Sequence, residues 1–341
     1  MEALLRAISI FLFFVLFIVT SCEESKSGIN NYMPDIKEGK WNSRARLTTA
    51  RQELQPVLHE NKIYLIGGFN SRLQVSSKVE IYDIESDTWS TGPNYPQLYH
   101  HIAAASANGK IYAFGGFSGQ NFGSWVAQNE IYTYEANASS WEFIGRMPEK
   151  MAEHLAITFN NEIYILSGKD SLGNPQNRSY KYEPLTDSWT QLANMPTERT
   201  SAAVTTIGSE IFVVGGRIRQ LNLSTNETEL VNVKTNEAFN PITNTWKTYS
   251  GLPYSTSGLA AGNIGGELFI IGGESISGNQ VVYGSVYKYN LDDDEWENLL
   301  SIPTSRHGTG GISYNNSIIV IGGADAPVFS ATDANEIFTL E

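Results

Sequence analysis

Three features predict an all-β chain of 341 residues folded as a β-propeller of six four-stranded antiparallel blades: six apolar tetrapeptides that run into glycine, five tryptophans at a fixed spacing behind an aromatic, and a last repeat that lacks its final strand. The apolar runs are Ile63-Tyr64-Leu65-Ile66 before Gly67-Gly68 and Ile111-Tyr112-Ala113-Phe114 before Gly115-Gly116. Ile211 to Val214, Leu268 to Ile271 and Ile318 to Ile321 run likewise into Gly215-Gly216, Gly272-Gly273 and Gly322-Gly323. The third copy, Ile163-Tyr164-Ile165-Leu166, is followed by Ser167-Gly168 and keeps only the second glycine. Each run reads as a strand b, apolar on both faces because neighbouring sheets sandwich it. The glycines admit torsions and a close backbone approach that a side chain would block.

An aromatic and a polar residue come next, with tryptophan six residues after the polar one: Tyr82-Asp83 to Trp89, Tyr134-Glu135 to Trp141, Tyr182-Glu183 to Trp189, Phe239-Asn240 to Trp246 and Tyr289-Asn290 to Trp296. A constant spacing predicts a hairpin of fixed geometry between an aromatic strand c and a Trp-bearing strand d, with Pro, Asp, Asn, Thr and Ser supplying the turn. The variable stretch between strands b and c is then a loop, and a Ser/Ala/Thr-rich strand a precedes strand b. The acidic run Asp292-Asp293-Asp294-Glu295 falls in the c-to-d turn of blade five and reads as a solvated hairpin. At the C-terminus, Asn335 to Glu341 aligns with Asn129 to Glu135, so the chain stops just before a strand d. The missing strand appears as Lys40-Trp41 at the other end, predicting that the N-terminal segment pairs into the last blade and closes the ring.

With its double glycine, its spaced aromatic and Trp, and a period of about 50 residues, the chain from Trp41 to Glu341 resembles the Kelch-repeat family, whose repeats form propeller blades.

Composition narrows the function. The 41% hydrophobic and 11% aromatic content, with 30 Gly, supports a large core rich in strands and turns. With 36 acidic against 23 basic residues the net charge is −13, which repels nucleic acid and offers anionic lipid no long-range attraction. The single cysteine, Cys22, allows no intramolecular disulfide and no thiolate metal cluster. Residues 1–21 read as a lipoprotein signal peptide, with Arg6 near the start and an apolar stretch from Ile8 to Val19 too short for a comfortable membrane span. Val19-Thr20-Ser21-Cys22 resembles the bacterial lipobox, which implies lipidation of Cys22, a flexible tether over 22–39 and the propeller over 40–341. Glu23 and Glu24 after the anchor point to the cell envelope, at the periplasmic or surface face of the outer membrane.

In a blade of alternating strands, the d-to-a connections and b-to-c loops share one face. The longest b-to-c loops, Phe117 to Gln128 and Arg217 to Lys234, mark that face as functional, and the first holds Trp125, the tryptophan outside the repeat series. Trp125 reads either as a ligand contact or as the cover of its own loop. The start of each strand a is polar: Arg51-Gln52-Glu53, Tyr99-His100-His101, Glu153-His154, Glu198-Arg199 and Arg306-His307. Arg51, Arg199 and Arg306 each stand twelve residues before the apolar run, and three guanidiniums converging on the channel mouth would suit a carboxylate. Glu53, His101, Glu153, His154 and His307 complete the candidate ligand set. Arg and His here are equally readable as structural hydrogen-bond holders, common at this place in Kelch repeats. No metal site is expected, because adjacent His100 and His101 on a strand would face opposite ways, and no cofactor is implied.

The leading functional expectation is a monomeric, envelope-anchored, non-catalytic module that binds a protein or glycan. The alternative is an enzyme resembling the exported sialic-acid mutarotases (N-acetylneuraminate epimerases), which bind an acidic sugar on an Arg-containing propeller face; the regular blades here lack the large insertions of those enzymes. A copper oxidase resembling galactose oxidase is excluded, because its cysteine–tyrosine cross-link would need the cysteine placed at the anchor.

Overall fold

The computed structural model describes residues 39–119, 123–276, 280–327 and 329–340. The expected signal peptide, Cys22 and the expected tether up to residue 38 lie outside the described residues, and Gly39, placed at the end of that tether, opens the closing strand instead. Among the described residues six antiparallel blade sheets follow one another in chain order, five of four strands and one, blade two, with a fifth short strand at Tyr99–His100. Blade one comprises strands a to d at Val57–His59, Lys62–Ile66, Val79–Asp83 and Thr88–Thr91. Blade two has Ala103–Ala107, Lys110–Ser118, Val126–Glu135 and Glu142–Met151, its strands b and c lengthened towards the loop that carries Trp125. In blade four the long b-to-c connection forms a hairpin of its own, Arg217–Asn222 against Glu227–Asn232.

Strand b is the inner girder of each blade. Ile63, Ile111, Ile163, Ile211, Leu268 and Ile318 are all fully buried, because both faces of the strand meet neighbouring sheets. The following glycines are needed where the d-to-a connections cross the blade, the first facing the connection into the next blade and the second the connection into its own. Gly68 has φ +77°, and a Cβ there would lie 2.6 Å from the carbonyl oxygen of Gln52. Ser167, which replaces the first glycine in blade three, adopts the same left-handed backbone at φ +64°.

The fixed Trp spacing has a clear cause. Asp87, Asp187, Asn244 and Asp294 take the left-handed turn position two residues before tryptophan. Asp87 and Asp187 accept hydrogen bonds from the hydroxyls of Tyr82 and Tyr182 at 2.6 and 2.9 Å, locking turn to strand c. Strand d then brings Trp89 to 5.0 Å from Tyr82 and Trp189 to 4.8 Å from Tyr182, between ring centroids. The indoles of Trp89, Trp246 and Trp296 donate to the carbonyls of Ala45, Ala193 and Ser250, stapling each blade to the one before it.

Closure occurs as predicted: Gly39–Ser43 pairs with Asn335–Leu340, setting Trp41 opposite Phe338 with ring centroids 5.1 Å apart. The internal alignment is corrected by two residues. Phe338 lies opposite Ile318 as Tyr134 lies opposite Ile111, so Phe338 is the counterpart of Tyr134, not of Tyr132. A slip of two keeps every side chain on its face, so alternation alone could not reveal it.

Candidate functional site

Strand a does not begin where its polar residues suggest. In each blade the chain first bridges to the residue just after the glycines, as Gln52 does with Phe69 and Thr200 with Arg217. It then turns through one left-handed residue before the strand starts. Those residues are Glu53, His101, Glu153, Ser201, Gly258 and Gly308, with φ between +52° and +65°. They form a ring, one from each blade. Backbone N–H groups link it: Glu53 donates to Gly308 at 2.7 Å, His101 to Glu53 at 3.0 Å, Gly258 to Ser201 and Gly308 to Gly258 at 2.9 Å. Glycine adopts this conformation freely, whereas a side-chain-bearing residue in it costs on the order of 1–2 kcal/mol. Four blades carry that cost to point a side chain at the axis.

The ring walls an open cavity of about 120 Å³ at the propeller centre. Its wall carries Glu53, His101, Glu153, His154 and Ser201 among apolar residues such as Ile102 and Leu259. Deeper in, Gln55 reaches across from blade one to donate to the carbonyl of Ala156 in blade three at 2.9 Å.

Glu53 Oε2 lies 2.9 Å from His101 Nε2. Burial would raise the Glu53 pKa, but the His101 charge and hydrogen bond, helped by His307, more than offset it and bring it down to about 2. Glu153 is held by Lys169 Nζ at 2.7 Å and by the hydroxyls of Thr200 and Ser201 at 2.8 and 2.7 Å. Burial opposes its ionisation, yet Lys169, His101 and Arg217 keep it well below the usual carboxylate range. His307 lies back from the axis, 3.2 Å from Glu274 Oε1, which Arg217 also grips. Burial lowers the His307 pKa, but Glu274 raises it further, so the net shift is upward.

His100 and His101 do not face opposite ways. The left-handed turn at His101 breaks the strand alternation and sets the two Nδ1 atoms 2.5 Å apart. Burial and the neighbouring His101 hold His100 at a pKa of about 3. Trp125 does more than cover its own loop: its ring lies 4.5 Å from His100, 5.6 Å from His101 and 6.0 Å from Phe69 of blade one. Phe117 joins them, 5.7 Å from Trp125 and 5.6 Å from His101. Aromatic rings therefore back onto His101 behind the cavity wall at blades one and two, and charged pairs stand behind the wall at blades three to five.

The three arginines do not converge on the channel. Arg51, Arg199 and Arg306 are at most 1% exposed, and each pairs with a buried strand-c glutamate of its own blade: Glu80 at 2.7 Å, Glu237 and Glu336. Their remaining N–H groups go to carbonyls, Arg51 to Lys78 at 2.9 Å, Arg199 to Val213 at 2.8 Å and Arg306 to Ala334 at 2.9 Å. The expected carboxylate pocket of guanidiniums is thus corrected to three internal ties that fasten each incoming connection to its blade. Their register was right, but their direction depends on the turn that follows, which sends them away from the axis.

A family model described as the KLHDC2/KLHL20/DRC7 Kelch-repeats domain matches residues 21–216 and again residues 122–323. The chain belongs to the Kelch-repeat family. It is 24% identical over 299 residues to Kelch-like protein terF of Aspergillus terreus, covering 84% of this chain and 64% of the relative. It is 27% identical over 136 residues to Beta-scruin of Limulus polyphemus, covering 39% and 15%. The chain therefore spans less than two thirds of the length of these relatives. The solved structure of YjhT superposes with a TM-score of 0.73 at 16% identity, covering 86% of this chain and 96% of that one, a likeness of fold.

The Kelch repeat also supplies a signal that sequence reasoning missed. The residue immediately after the glycines, which is Phe69, Phe117, Lys169, Arg217, Glu274 and Ala324 around the ring, bridges back to the residue preceding the cavity ring. Reading that single column down the six repeats would have exposed the aromatic and the charged sectors. Ser201 was missed for a related reason: it is unremarkable in its own repeat and acquires meaning only beside Glu153.

Proposed function

We propose that this Kelch propeller is a ligand-binding module of the cell envelope, and that the face carrying the d-to-a and b-to-c loops receives a protein or glycan over the central cavity. The observation that carries the reading is the cavity itself, where Glu53, His101, Glu153 and Ser201 occupy a strained ring position beside an aromatic cluster. Backbone strain maintained in four blades has no need in a purely structural ring, since glycine serves in the other two. Aromatic faces against the C–H surface of a sugar or an apolar side chain, with carboxylates for its polar groups, make a recognisable binding surface. Chemical-shift mapping with envelope glycans and peptides tests this: perturbations should centre on His101 and Trp125 and vanish in Trp125→Ala. Perturbations confined to the opposite face would refute it. Anchoring through Cys22 is supported by the apolar stretch that precedes it, and incorporation of a labelled fatty acid that is lost in Cys22→Ala is the expected result.

The enzymatic alternative, a mutarotase resembling those that act on sialic acid, draws support from the Glu53–His101 contact, a geometry suited to moving a proton at a sugar hydroxyl. Anomer exchange followed by NMR, and its loss in Glu53→Gln, is the result that reading requires.

A further inference from the structure

The wall of the central cavity limits the kind of group that fits inside it, because its charges are already neutralised by the protein. Glu53 contacts His101 through Oε2, and its Oε1 packs 2.9 Å from the point where a side chain at Gly308 would begin. Both oxygens of Glu153 are taken, one by Lys169 and the other by Thr200 and Ser201. His154 stays neutral, because burial holds its pKa down to about 3. The side-chain donors are spent as well: Ser201 on Glu153, Thr309 on the Ile321 carbonyl at 2.6 Å and Gln55 on the Ala156 carbonyl at 2.9 Å. Among the described residues the wall holds no lysine or arginine. A charged group entering here would lose its hydration and meet no free partner.

The rest of the wall is apolar. Below the ring stand Pro56, Ile102, Leu155, Val204, Leu259 and Ala261. The deepest lining residues, Pro56, Val204, Ala261 and Gly311, each lie three residues beyond the ring residue of their blade, which sets the depth at about 10 Å. On the side of blades two and three the Gln55 side chain crosses at that level, and the counterparts Ala104 and Ala156 do not line the cavity. A volume of about 120 Å³ leaves room for one short aliphatic group and not for a sugar chain.

The face onto which the cavity opens is apolar in part. Leu172 of blade three and Leu221 and Leu223 of the blade four hairpin are 82%, 49% and 88% exposed, and Arg219 joins the two loops by donating to the Gly173 carbonyl at 3.4 Å. Exposed aliphatic residues on adjoining loops suit an apolar protein surface better than a glycan.

We propose that the cavity receives an uncharged aliphatic side chain of leucine size from a protein partner, whose backbone amides stay at the polar ring while Gln55 and Val204 limit how far the side chain enters. This rests on the cavity being the ligand site.

The test follows backbone-amide chemical shifts of the full chain during titration with the Nα-acetyl amides of leucine, norleucine, glycine, lysine and glutamate, and with L-fucose. Burying a leucine side chain is worth about tenfold or more in affinity. Leucine amide should therefore bind about tenfold more tightly than glycine amide, shift Ala203, Ala261 and Gly311, and keep its preference at high salt. Lysine and glutamate amides should bind no better than glycine amide. Val204→Phe, at a half-buried lining position, should fill the lower cavity and abolish the leucine preference. Gln55→Ala, which removes the crossing side chain, should let norleucine amide gain about fourfold on leucine amide, and an unchanged ranking there overturns the role given to Gln55. Lysine or glutamate amide binding as tightly as leucine amide, or a leucine preference that survives Val204→Phe, overturns the proposal while leaving the cavity as the ligand site. Tighter binding of L-fucose at the same residues assigns the site to a glycan and likewise overturns it. Shifts confined to the opposite face overturn both readings, and no shift from any probe overturns this one.

Discussion

Glu53 and His101 belong to neighbouring blades, share the left-handed backbone at φ +55° and +52°, and meet through a 2.9 Å contact between Oε2 and Nε2. The backbone repeats the link, since the His101 N–H donates to the Glu53 carbonyl. The ring position therefore couples blade-to-blade closure with the chemistry of the cavity.

The first prediction follows from that pair. The folded pKa of Glu53, about 2, lies below its ordinary value of 4.5. A depressed carboxylate contributes stability that is complete above the unfolded pKa and is lost as pH falls from about 4.5 towards 2. Urea midpoints measured across that window should fall steeply for the native chain. The slope should be smaller in Glu53→Gln by an amount of at most about 3 kcal/mol, and an unchanged slope would count against the ion pair.

His154 gives a second prediction. It is 4% exposed, both ring nitrogens lack a protein hydrogen-bond partner, and burial pushes its pKa down to about 3. The equivalent position in blades one, two and five is Leu54, Ile102 and Leu259, so the fold itself accepts an aliphatic residue there. His154→Leu should stabilise the protein by about 1–3 kcal/mol. Because a buried neutral imidazole loses its contribution as pH drops from about 6.5 towards 3, the variant should also flatten the stability profile in that interval. Calorimetric midpoints at pH 7 and pH 5 decide it: a lower midpoint in the variant would show that His154 contributes a bond to the folded state.

The buried arginines yield a third. Removing one partner strands a charge, so Arg199→Met should cost about 3–5 kcal/mol, whereas Arg199→Met with Glu237→Leu should recover much of that loss. Chemical denaturation of the single and double variants checks the order. Equal losses in both would mean that packing around the site, rather than the stranded charge, sets the penalty.

Closure supplies the fourth. Trp41 packs on Phe338 and its indole donates to the Leu300 carbonyl at 3.0 Å. Trp41→Ala should lower stability by about 2 kcal/mol. Deleting the chain through Ser43 should bare the edge of Asn335–Leu340 and produce concentration-dependent aggregation in light scattering. A truncated chain that remains monomeric would show that blade six needs no fourth strand.

By itself the sequence determined the number of blades, the identity of strands b, c and d, and the closing role of Trp41. Each of these rests on a local regularity: an apolar run between two packed faces, a turn of fixed length locked by Asp87 or Asp187, and an unpaired edge needing a partner. The candidate site was legible only as a set of polar residues at the start of strand a. Which of them face the axis is decided by the single left-handed turn that places Glu53, His101 and Glu153 in the ring while directing Arg51, Arg199 and Arg306 into their blades. That turn is held by glycine backbones and carbonyls of its own and of neighbouring repeats, such as Gly68 beneath Gln52 and Gly308 beside Glu53. Direction at the cavity is therefore a property of the assembled ring, and no single repeat contains it.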